Sequence, residues 1–232
     1  MIHNDLRKKA FEANLSIVEH DLVTLTWGNA SVFDSFNKII AIKPSGVPYS
    51  DLKWQDIVLL DLDLNNIDSK LRPSSDTKTH VEIYKNFDNV KGIVHTHSRW
   101  ATTWAQAQLP IPCVGTTHAD HFYGEVPCIP ILNEDQIFDD YEKNTGLSIV
   151  EYYVKNKLNP VETPGCILSG HAPFTWGKTI KEAIENAVAL EYVAMMAFNS
   201  LKINNNIDFP KYILNKHYKR KHGKESYYGQ KK

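Results

Sequence analysis

The sequence predicts an α/β fold, with three α/β/α layers in a single domain around a central sheet that is mixed and mainly antiparallel. Three observations lead to this prediction. Short β-prone runs alternate irregularly with helical periodicity, so the connections are not the regular βαβ units of a parallel sheet. Proline and glycine are scattered, without an internal repeat or a low-complexity linker, so residues 1–232 are expected to form one domain. A chain of this length can bury one sizeable core, although two small domains are within reach.

The predicted strands are short β-prone runs, and most end at residues that favour turns. They are residues 22–26, 38–42, 57–60, 92–96 and 166–168. The first run stops at Trp27-Gly28, and the second stops shortly before Ser45-Gly46. The fourth run leads directly into a pair of histidines.

The predicted helices have apolar residues on one face. They are residues 5–20, 76–87, 99–107, 145–157 and 179–199. Asn4 or Asp5 is expected to cap the first helix, because both residue types are favoured N-caps. Thr179 and Glu182 have the spacing of a capping box, which predicts the start of the last helix.

Composition and charge exclude some classes of protein. The hydrophobic fraction of 42% and charged fraction of 23% are typical of globular proteins. A net charge of -1 gives no global argument for binding nucleic acid or membrane. The N-terminus lacks the apolar run of a secretory signal, and no stretch is long and apolar enough to span a membrane. The three cysteines are widely spaced, which favours a reducing compartment, so a cytoplasmic location is expected.

The near-neutral balance hides a basic segment at residues 211–232. It carries eight lysines or arginines against one acid, Glu225, so the rest of the chain is acidic. Such a segment can bind nucleic acid or dock on an acidic neighbour. The alternative is a solvated terminal helix with a loose end.

Two histidines, His95 and His97, follow directly from the fourth β-prone run. Side chains two residues apart in a strand point to the same face, so a strand over residues 92–97 would place both imidazoles close enough to chelate one ion. Histidines at this spacing are also common by chance. Surface or core packing is therefore the alternative interpretation.

A third histidine, His171, follows the apolar run 166–168 at the end of a predicted strand, where loops often carry functional side chains. Three histidines with an open position are the ligand set of a catalytic zinc site. Asp76 or Asp120 would supply a fourth ligand. The alternative is three unrelated histidines among the ten in the chain.

Three short polar turns are candidate phosphate sites. They contain Gly28-Asn29, Ser45-Gly46 and Ser74-Ser75. Such turns can direct backbone N–H groups and hydroxyls at a phosphate, particularly where a helix begins. Ser74 and Ser75 precede the helix predicted at residues 76–87 and fit this role best. The chain has no P-loop and no GxGxxG motif, and each turn alone is more commonly only a turn.

Two further residues are candidates for proton transfer. Asp120 lies in a polar run at residues 116–122, where a capping or salt-bridged aspartate is the alternative. Tyr228 lies in the basic segment. A tyrosine hydroxyl near a metal and several cations is suited to proton transfer in acid/base catalysis. From the residues alone, packing is the simpler interpretation of this tyrosine.

Taken together, seven stretches of the chain resemble a known family. They are residues 26–29, 43–46, 73–77, 95–98, 116–120, 169–174 and the ending from 221 to 230. These stretches resemble the L-ribulose-5-phosphate 4-epimerases, a family of the class II aldolase/epimerase superfamily, over about residues 5–230. The HTHS and SGHAPF stretches are shared with aldolase relatives. The SSDT, THAD and YYGQ stretches are more particular to the epimerases.

The resemblance implies a site for a metal ion and a sugar phosphate. His95, His97 and His171 would bind the cation, usually Zn²⁺, with Mn²⁺ or another divalent cation as alternatives. Asp76 would lie beside it as a further ligand or acid. The substrate and its phosphate would be held by Gly28, Asn29, Ser45, Gly46, Ser74 and Ser75, with Lys43 near the phosphate.

The resemblance also implies how the protons move and how subunits assemble. Asp120 and Tyr228 would form a proton donor and acceptor pair. Family members are homotetramers with sites at subunit boundaries, so Tyr228 would act in a neighbouring chain. The basic segment 211–232 would then cover the anionic substrate there. Glu142 and His217 also match positions near the site.

The implied reaction interconverts L-ribulose 5-phosphate and D-xylulose 5-phosphate, compounds of arabinose or ascorbate breakdown. The hydrogen on C4 is not acidic, so cleaving and re-forming the C3–C4 bond is the accessible way to invert that centre. A class II sugar-phosphate aldolase with the same metal site is the alternative. Those relatives usually carry glutamate where this chain has Asp76, which favours the epimerase. A binding protein with a structural zinc is disfavoured, because such sites are normally rich in cysteine.

Overall fold

The computed structural model describes residues 2–223 and 226–228. The strands are β1 Asn29–Asp34, β2 Ile39–Ile42, β3 Val58–Asp61, β4 Gly92–His95, β5 Cys128–Ile129, β6 Gly165–Leu168 and β7 Pro173–Gly177. The helices are α1 Ile2–Glu19, α2 Thr77–Asn86, α3 Arg99–Ala107, α4 Thr116–Ala119, α5 Glu134–Lys155, α6 Ile180–Ile203 and α7 Lys211–Lys221. None of the described helices combines the length and the apolar character that crossing a membrane requires.

The strands form one sheet in the order β3-β2-β1-β4-β7-β6-β5. The β5–β6 pair is parallel and the other pairs are antiparallel. Consecutive residues of β4 belong to opposite layers, because Ile93 packs with α2 and α5 whereas Val94 packs with α1 and α6. Helices therefore cover both faces of the sheet. The predicted three-layer fold with a mixed, mainly antiparallel sheet is confirmed.

Four of the predicted strands are present as β2, β3, β4 and β6, within one residue at each end. The strand predicted at residues 22–26 is wrong. Leu25 has a left-handed backbone (φ 55°) and an exposed side chain, so this run forms turns and the chain enters the sheet only at Asn29. Sequence reasoning missed β1, β5 and β7. The last of these is a five-residue strand confined between Pro173 and Gly177, residues that argue against a strand.

The predicted helices are all present. Helix α3 has the predicted bounds, residues 99–107, and the other helices differ at their ends. Helix α1 begins at Ile2, so Asn4 and Asp5 lie inside it and do not cap it. The helix predicted at residues 145–157 is the second half of α5. Thr179 caps α6, because its side chain accepts the backbone N–H of Glu182 at 3.1 Å. The predicted capping box is only half formed, since the Glu182 side chain accepts the backbone N–H of Lys178 and not that of Thr179.

The basic segment at residues 211–232 begins with α7, as the alternative of a terminal helix expected. Residues 224–225 and 229–232 of that segment lie outside the described residues, and with them the end of the YYGQ stretch.

The sheet topology brings several strand ends to one edge. Asn29 at the start of β1 pairs with His95 at the end of β4, and His95 pairs with Phe174 near the start of β7. The end of β2 lies at the same edge because β2 is antiparallel to β1. A bridge between Pro44 and Pro73 then brings the start of α2 to this edge. The candidate site forms here.

Candidate metal centre and substrate cavity

The structure brings His95, His97 and His171 together. Their ring centroids are 5.0 Å apart for His95 and His97, 5.0 Å for His95 and His171, and 5.1 Å for His97 and His171. One ligand atom from each lies within 4.8 Å of the others. Two nitrogens bound to the same ion at about 2 Å can be at most about 4 Å apart, so small side-chain rotations allow one ion to bind all three.

Each histidine is positioned by a different local structure. His95 ends β4, and its Nδ1 donates to the Pro173 carbonyl at 2.9 Å, which leaves Nε2 as the free ligand atom. His97 lies in the loop after β4, so the prediction of a strand through residue 97 is wrong at its end. His171 follows Gly170, whose φ of +71° makes the tight turn before β7.

The three imidazoles are suited to holding a cation. Burial, together with the neighbouring His95, lowers the pKa of His97 to about 4 and the pKa of His171 to about 4. Both rings are therefore neutral at pH 7, as a metal ligand must be. The Nδ1 of His171 is buried and has no hydrogen-bond partner among the described residues, which is unusual unless an ion or water satisfies it. Three nitrogen donors with open positions fit a divalent transition metal such as Zn²⁺.

Asp76 lies directly before α2 and faces this cluster. Its Oδ2 is 3.9 Å from the Nε2 of His95 and accepts a hydrogen bond from the side-chain amide of Asn29 at 2.7 Å. Burial acts to raise the pKa of Asp76, but His95, His80 and the Asn29 hydrogen bond outweigh it, so this pKa is lowered. The carboxylate is therefore ionised and is a charge partner of His95, while the group whose ligand atoms all lie within 4.8 Å of one another consists of the three histidines without Asp76.

A buried network behind the cluster was missed by sequence reasoning. The Nδ1 of His80 is 2.7 Å from the Ser31 hydroxyl, which is 2.8 Å from the Tyr84 hydroxyl. Burial lowers the pKa of His80 to about 3, so this ring is neutral. The signal was present in the sequence, because Asp76, His80 and Tyr84 are four residues apart and share one face of α2.

A cavity of about 410 Å³ contains the cluster. All seven residues predicted to bind the substrate or its phosphate line it: Gly28, Asn29, Lys43, Ser45, Gly46, Ser74 and Ser75. The wall also includes Thr26, Trp27, Pro44, Tyr141 and Glu142. The structure thus places the three polar turns around one cavity, next to the histidines.

The polar end of the cavity contains a buried cation. Lys43 is 2% exposed, and its Nζ donates to the carbonyl of Val47 at 2.7 Å. Burial lowers the pKa of Lys43. The backbone N–H groups of Ser45 and Ser74 donate to protein carbonyls. The Ser74 hydroxyl is also engaged, because it accepts from the side-chain amide of Asn29 at 3.0 Å and donates to the Oδ2 of Asp76 at 3.4 Å. The sequence-based expectation allowed both backbone N–H groups and hydroxyls of these turns to contact a phosphate, and these two N–H groups are occupied by protein carbonyls.

Asp120 and Tyr228 do not line the cavity of their own chain. Both oxygens of Asp120 bind Arg220, at 3.0 Å and 2.6 Å, and Oδ1 is 3.2 Å from the Nδ1 of His217. Burial acts to raise the pKa of Asp120, but these partners outweigh it and lower the pKa. The guanidinium carbon of Arg220 is 5.2 Å from the Tyr228 ring centroid. Asp120 is therefore salt-bridged, which is the alternative that the sequence analysis left open. Glu142, by contrast, lines the cavity.

The fold and the site define a class of protein. A mixed sheet with a three-histidine cluster and an adjoining polar cavity is suited to metal-assisted chemistry on a small anionic substrate. The sequence profile of the family "Class II Aldolase and Adducin N-terminal domain" matches residues 8–198. The chain belongs to this family.

Several solved structures share the fold. An L-fuculose 1-phosphate aldolase is 22% identical, with a TM-score of 0.78, over 93% of this chain and 95% of that chain. YgbL from Escherichia coli, described as a candidate aldolase, epimerase or decarboxylase, is 20% identical, with a TM-score of 0.74, over 93% and 99%. The L-fuculose-1-phosphate aldolase of Thermus thermophilus is 20% identical, with a TM-score of 0.68, over 88% and 98%.

Proposed function

We propose that this protein is an L-ribulose-5-phosphate 4-epimerase, which interconverts L-ribulose 5-phosphate and D-xylulose 5-phosphate. The observation that carries the proposal is one cavity in which three clustered imidazoles and an ionised Asp76 lie beside a polar end with the buried Lys43. A cavity of about 410 Å³ is large enough for a pentulose phosphate. The SSDT, THAD and YYGQ stretches support the epimerase among the reactions of the family.

His95, His97 and His171 hold the metal in this proposal, with Asp76 beside it and Zn²⁺ or Mn²⁺ as the ion. The bound cation supplies Lewis-acid stabilisation of the negative charge that appears when the C3–C4 bond opens. The chain's own residues do the positioning. The Asn29 amide orients Asp76, since it donates to the carboxylate at 2.7 Å.

The phosphate end retains the aldehyde fragment between cleavage and rejoining. Lys43, Ser45 and Ser74 bind the phosphate, so the fragment turns its other face to the nucleophilic carbon without leaving the cavity. This retention separates an epimerase from an aldolase, because an aldolase must release both fragments.

Asp120 and Tyr228 are the proposed acid/base pair for the C4 hydroxyl, one on each face. They lie together in one chain and outside its cavity, so they would serve the cavity of a neighbouring chain. The proposal therefore includes a homotetramer with sites at subunit boundaries, in which the basic segment 211–232 covers the substrate of its neighbour. A cytoplasmic enzyme of arabinose or ascorbate breakdown fits this substrate.

A sugar-phosphate aldolase is the second candidate. It is favoured by the structural similarity to two L-fuculose 1-phosphate aldolases. Such an enzyme would use the same metal and cavity but release its fragments. Asp76 favours the epimerase, since the aldolase relatives usually carry glutamate there.

The test is incubation of the metal-loaded protein with L-ribulose 5-phosphate, followed by stereochemical identification of the product. Formation of D-xylulose 5-phosphate without accumulating dihydroxyacetone supports the proposal. Cleavage of L-fuculose 1-phosphate, or release of dihydroxyacetone in quantity, supports the aldolase. A protein that converts neither sugar phosphate refutes the epimerase and also an aldolase that acts on either of these two compounds. Tyr228→Phe should retain its metal and lose rate, and an unchanged rate would remove Tyr228 from its role.

A further inference from the structure

Helix α5 is interrupted at Asp140, whose backbone angles of φ −151° and ψ 84° are not helical. The Oδ1 of Asp140 accepts the backbone N–H of Lys143 at 3.4 Å, so Asp140 caps the second half of α5 as a new N-terminus. The side-chain amide of Asn144 donates to the carbonyl of Gln136 at 2.8 Å, and so satisfies a carbonyl near the break. The break is therefore stabilised by partners of its own.

The first two residues after the break, Tyr141 and Glu142, line the cavity that contains the three histidines. The ring of Tyr141 is 6.4 Å from the ring of His171. Successive side chains of a helix are rotated by about 100° about its axis, so a change of backbone direction at Asp140 decides which side chains face the cavity. The two wall residues depend on the break for their position.

Three contacts connect this break to α2. The Nζ of Lys78 donates to the Oδ2 of Asp140 at 2.8 Å. The hydroxyl of Thr79 donates to the carbonyl of Glu142 at 2.6 Å. Gly146 lies so close to α2 that a Cβ atom there would be 2.9 Å from the Thr79 carbonyl oxygen. The close packing at Gly146 fixes the distance between α2 and α5. The ion pair of Lys78 with Asp140 stabilises the non-helical backbone at the break.

We propose that Lys78 is a positioning residue, which acts through Asp140 to hold Tyr141 and Glu142 against the substrate. The side chains of Lys78 and Asp140 are 43% and 25% exposed, so removing the pair leaves no buried void and should change global stability little. The contact of Tyr141 and Glu142 with the substrate rests on the proposed function. The stabilisation of the break by the Lys78–Asp140 ion pair does not depend on it. Loss of the ion pair frees the capped turn, and the two wall residues then spend part of their time away from the cavity.

The experiment compares Lys78→Met with a matched control, Lys85→Met. Lys85 lies on the same helix, is exposed and makes no ion pair with the described residues. With L-ribulose 5-phosphate, Lys78→Met should raise KM about fivefold while kcat changes less than about twofold, because binding is lost equally in the ground and transition states. Lys78→Arg should restore KM, and the metal content should equal that of the wild type throughout. Lys85→Met should leave KM and kcat unchanged.

A second measurement does not depend on turnover. Amide hydrogen exchange over residues 139–146 should be faster in Lys78→Met than in the wild type, and unchanged in Lys85→Met. Unchanged exchange in Lys78→Met overturns the proposal, whether or not the protein is an epimerase. Faster exchange with an unchanged KM overturns the positioning role and leaves only a structural one. If the wild type cleaves L-fuculose 1-phosphate instead, the epimerase fails alone, and the same comparison of KM is made with that substrate.

Discussion

Replacing Gly28 with alanine should both destabilise the fold and weaken metal binding. Gly28 has a φ of +91°, and a Cβ atom there would lie 2.7 Å from the carbonyl oxygen of His95. The left-handed backbone costs an alanine about 1–2 kcal/mol. Overpacking against backbone that cannot easily shift costs a further ~1–3 kcal/mol. The carbonyl is held in place because Asn29 pairs with His95 in the sheet.

Gly124 provides the matched control. It has a φ of +102°, but an added Cβ would meet no atom within 4 Å. Gly124→Ala should therefore cost only the backbone part, about 1–2 kcal/mol. In a chain of this size each kcal/mol lowers Tm by about 2–4 °C, so Gly28→Ala should melt several degrees below Gly124→Ala.

The assay is urea unfolding of both metal-free variants, followed by a Zn²⁺ titration of each. The affinity of Gly28→Ala for Zn²⁺ should fall about tenfold or more, because the added methyl displaces the backbone that carries His95. The affinity of Gly124→Ala should equal that of the wild type. Unfolding free energies of the two variants that agree within about 0.5 kcal/mol would refute the steric argument. Equal Zn²⁺ affinities would refute the link to His95.

Three further predictions address the metal, the phosphate and pH. Chelation of the wild type should abolish activity and lower Tm, and added Zn²⁺ or Mn²⁺ should restore both. In His97→Ala, neither chelation nor added metal should change activity or Tm. A chelated wild type with full activity would refute the metal-dependent mechanism. Lys43→Met should raise KM for a phosphorylated sugar at least about tenfold and leave KM for the unphosphorylated sugar unchanged, since only the former carries the charge that Lys43 binds. Burial lowers the pKa of His118 to about 4, below its unfolded value near 6.5, so its stabilising contribution is present above pH 6.5 and is lost as the pH falls towards 4. Between pH 6.5 and pH 4, the free energy of unfolding of the wild type should accordingly fall by up to about 3 kcal/mol more than that of His118→Asn. Curves of unfolding free energy against pH that run parallel for the two proteins would contradict this.

The sequence predicted the residues of the site better than the backbone that presents them. Glycine, serine and histidine patterns identified the polar turns and the three imidazoles, because these residue types are unusual enough to stand out. The strand alternation used to join His95 and His97 was wrong beyond residue 95, where the chain leaves the sheet. His97 reaches the cluster from a loop, and loop conformation depends on contacts with segments distant in sequence.

The missing elements share a physical cause. Strand β7 has proline and glycine at its ends and gains its stability from pairing with β4 and β6, not from local propensity. The first half of α5 ends at the break at Asp140, so it is too short to show the apolar periodicity that predicts a helix. The partners of Asp120 were unpredictable for a different reason. They lie about 100 residues away on α7, and no local pattern reports such a contact.

The central position of β4 gives the three histidines unequal local stability. His95 belongs to a strand that is paired on both sides, and such a strand opens only with an energy close to that of global unfolding. His97 and His171 lie in loops, which open at far lower cost. A cation can therefore be exchanged through excursions of these two loops while the sheet stays closed. The metal-free chain should remain folded and able to bind the cation again. His95 would then stay in its bound position, while His97 and His171 would move between positions near the ion and away from it.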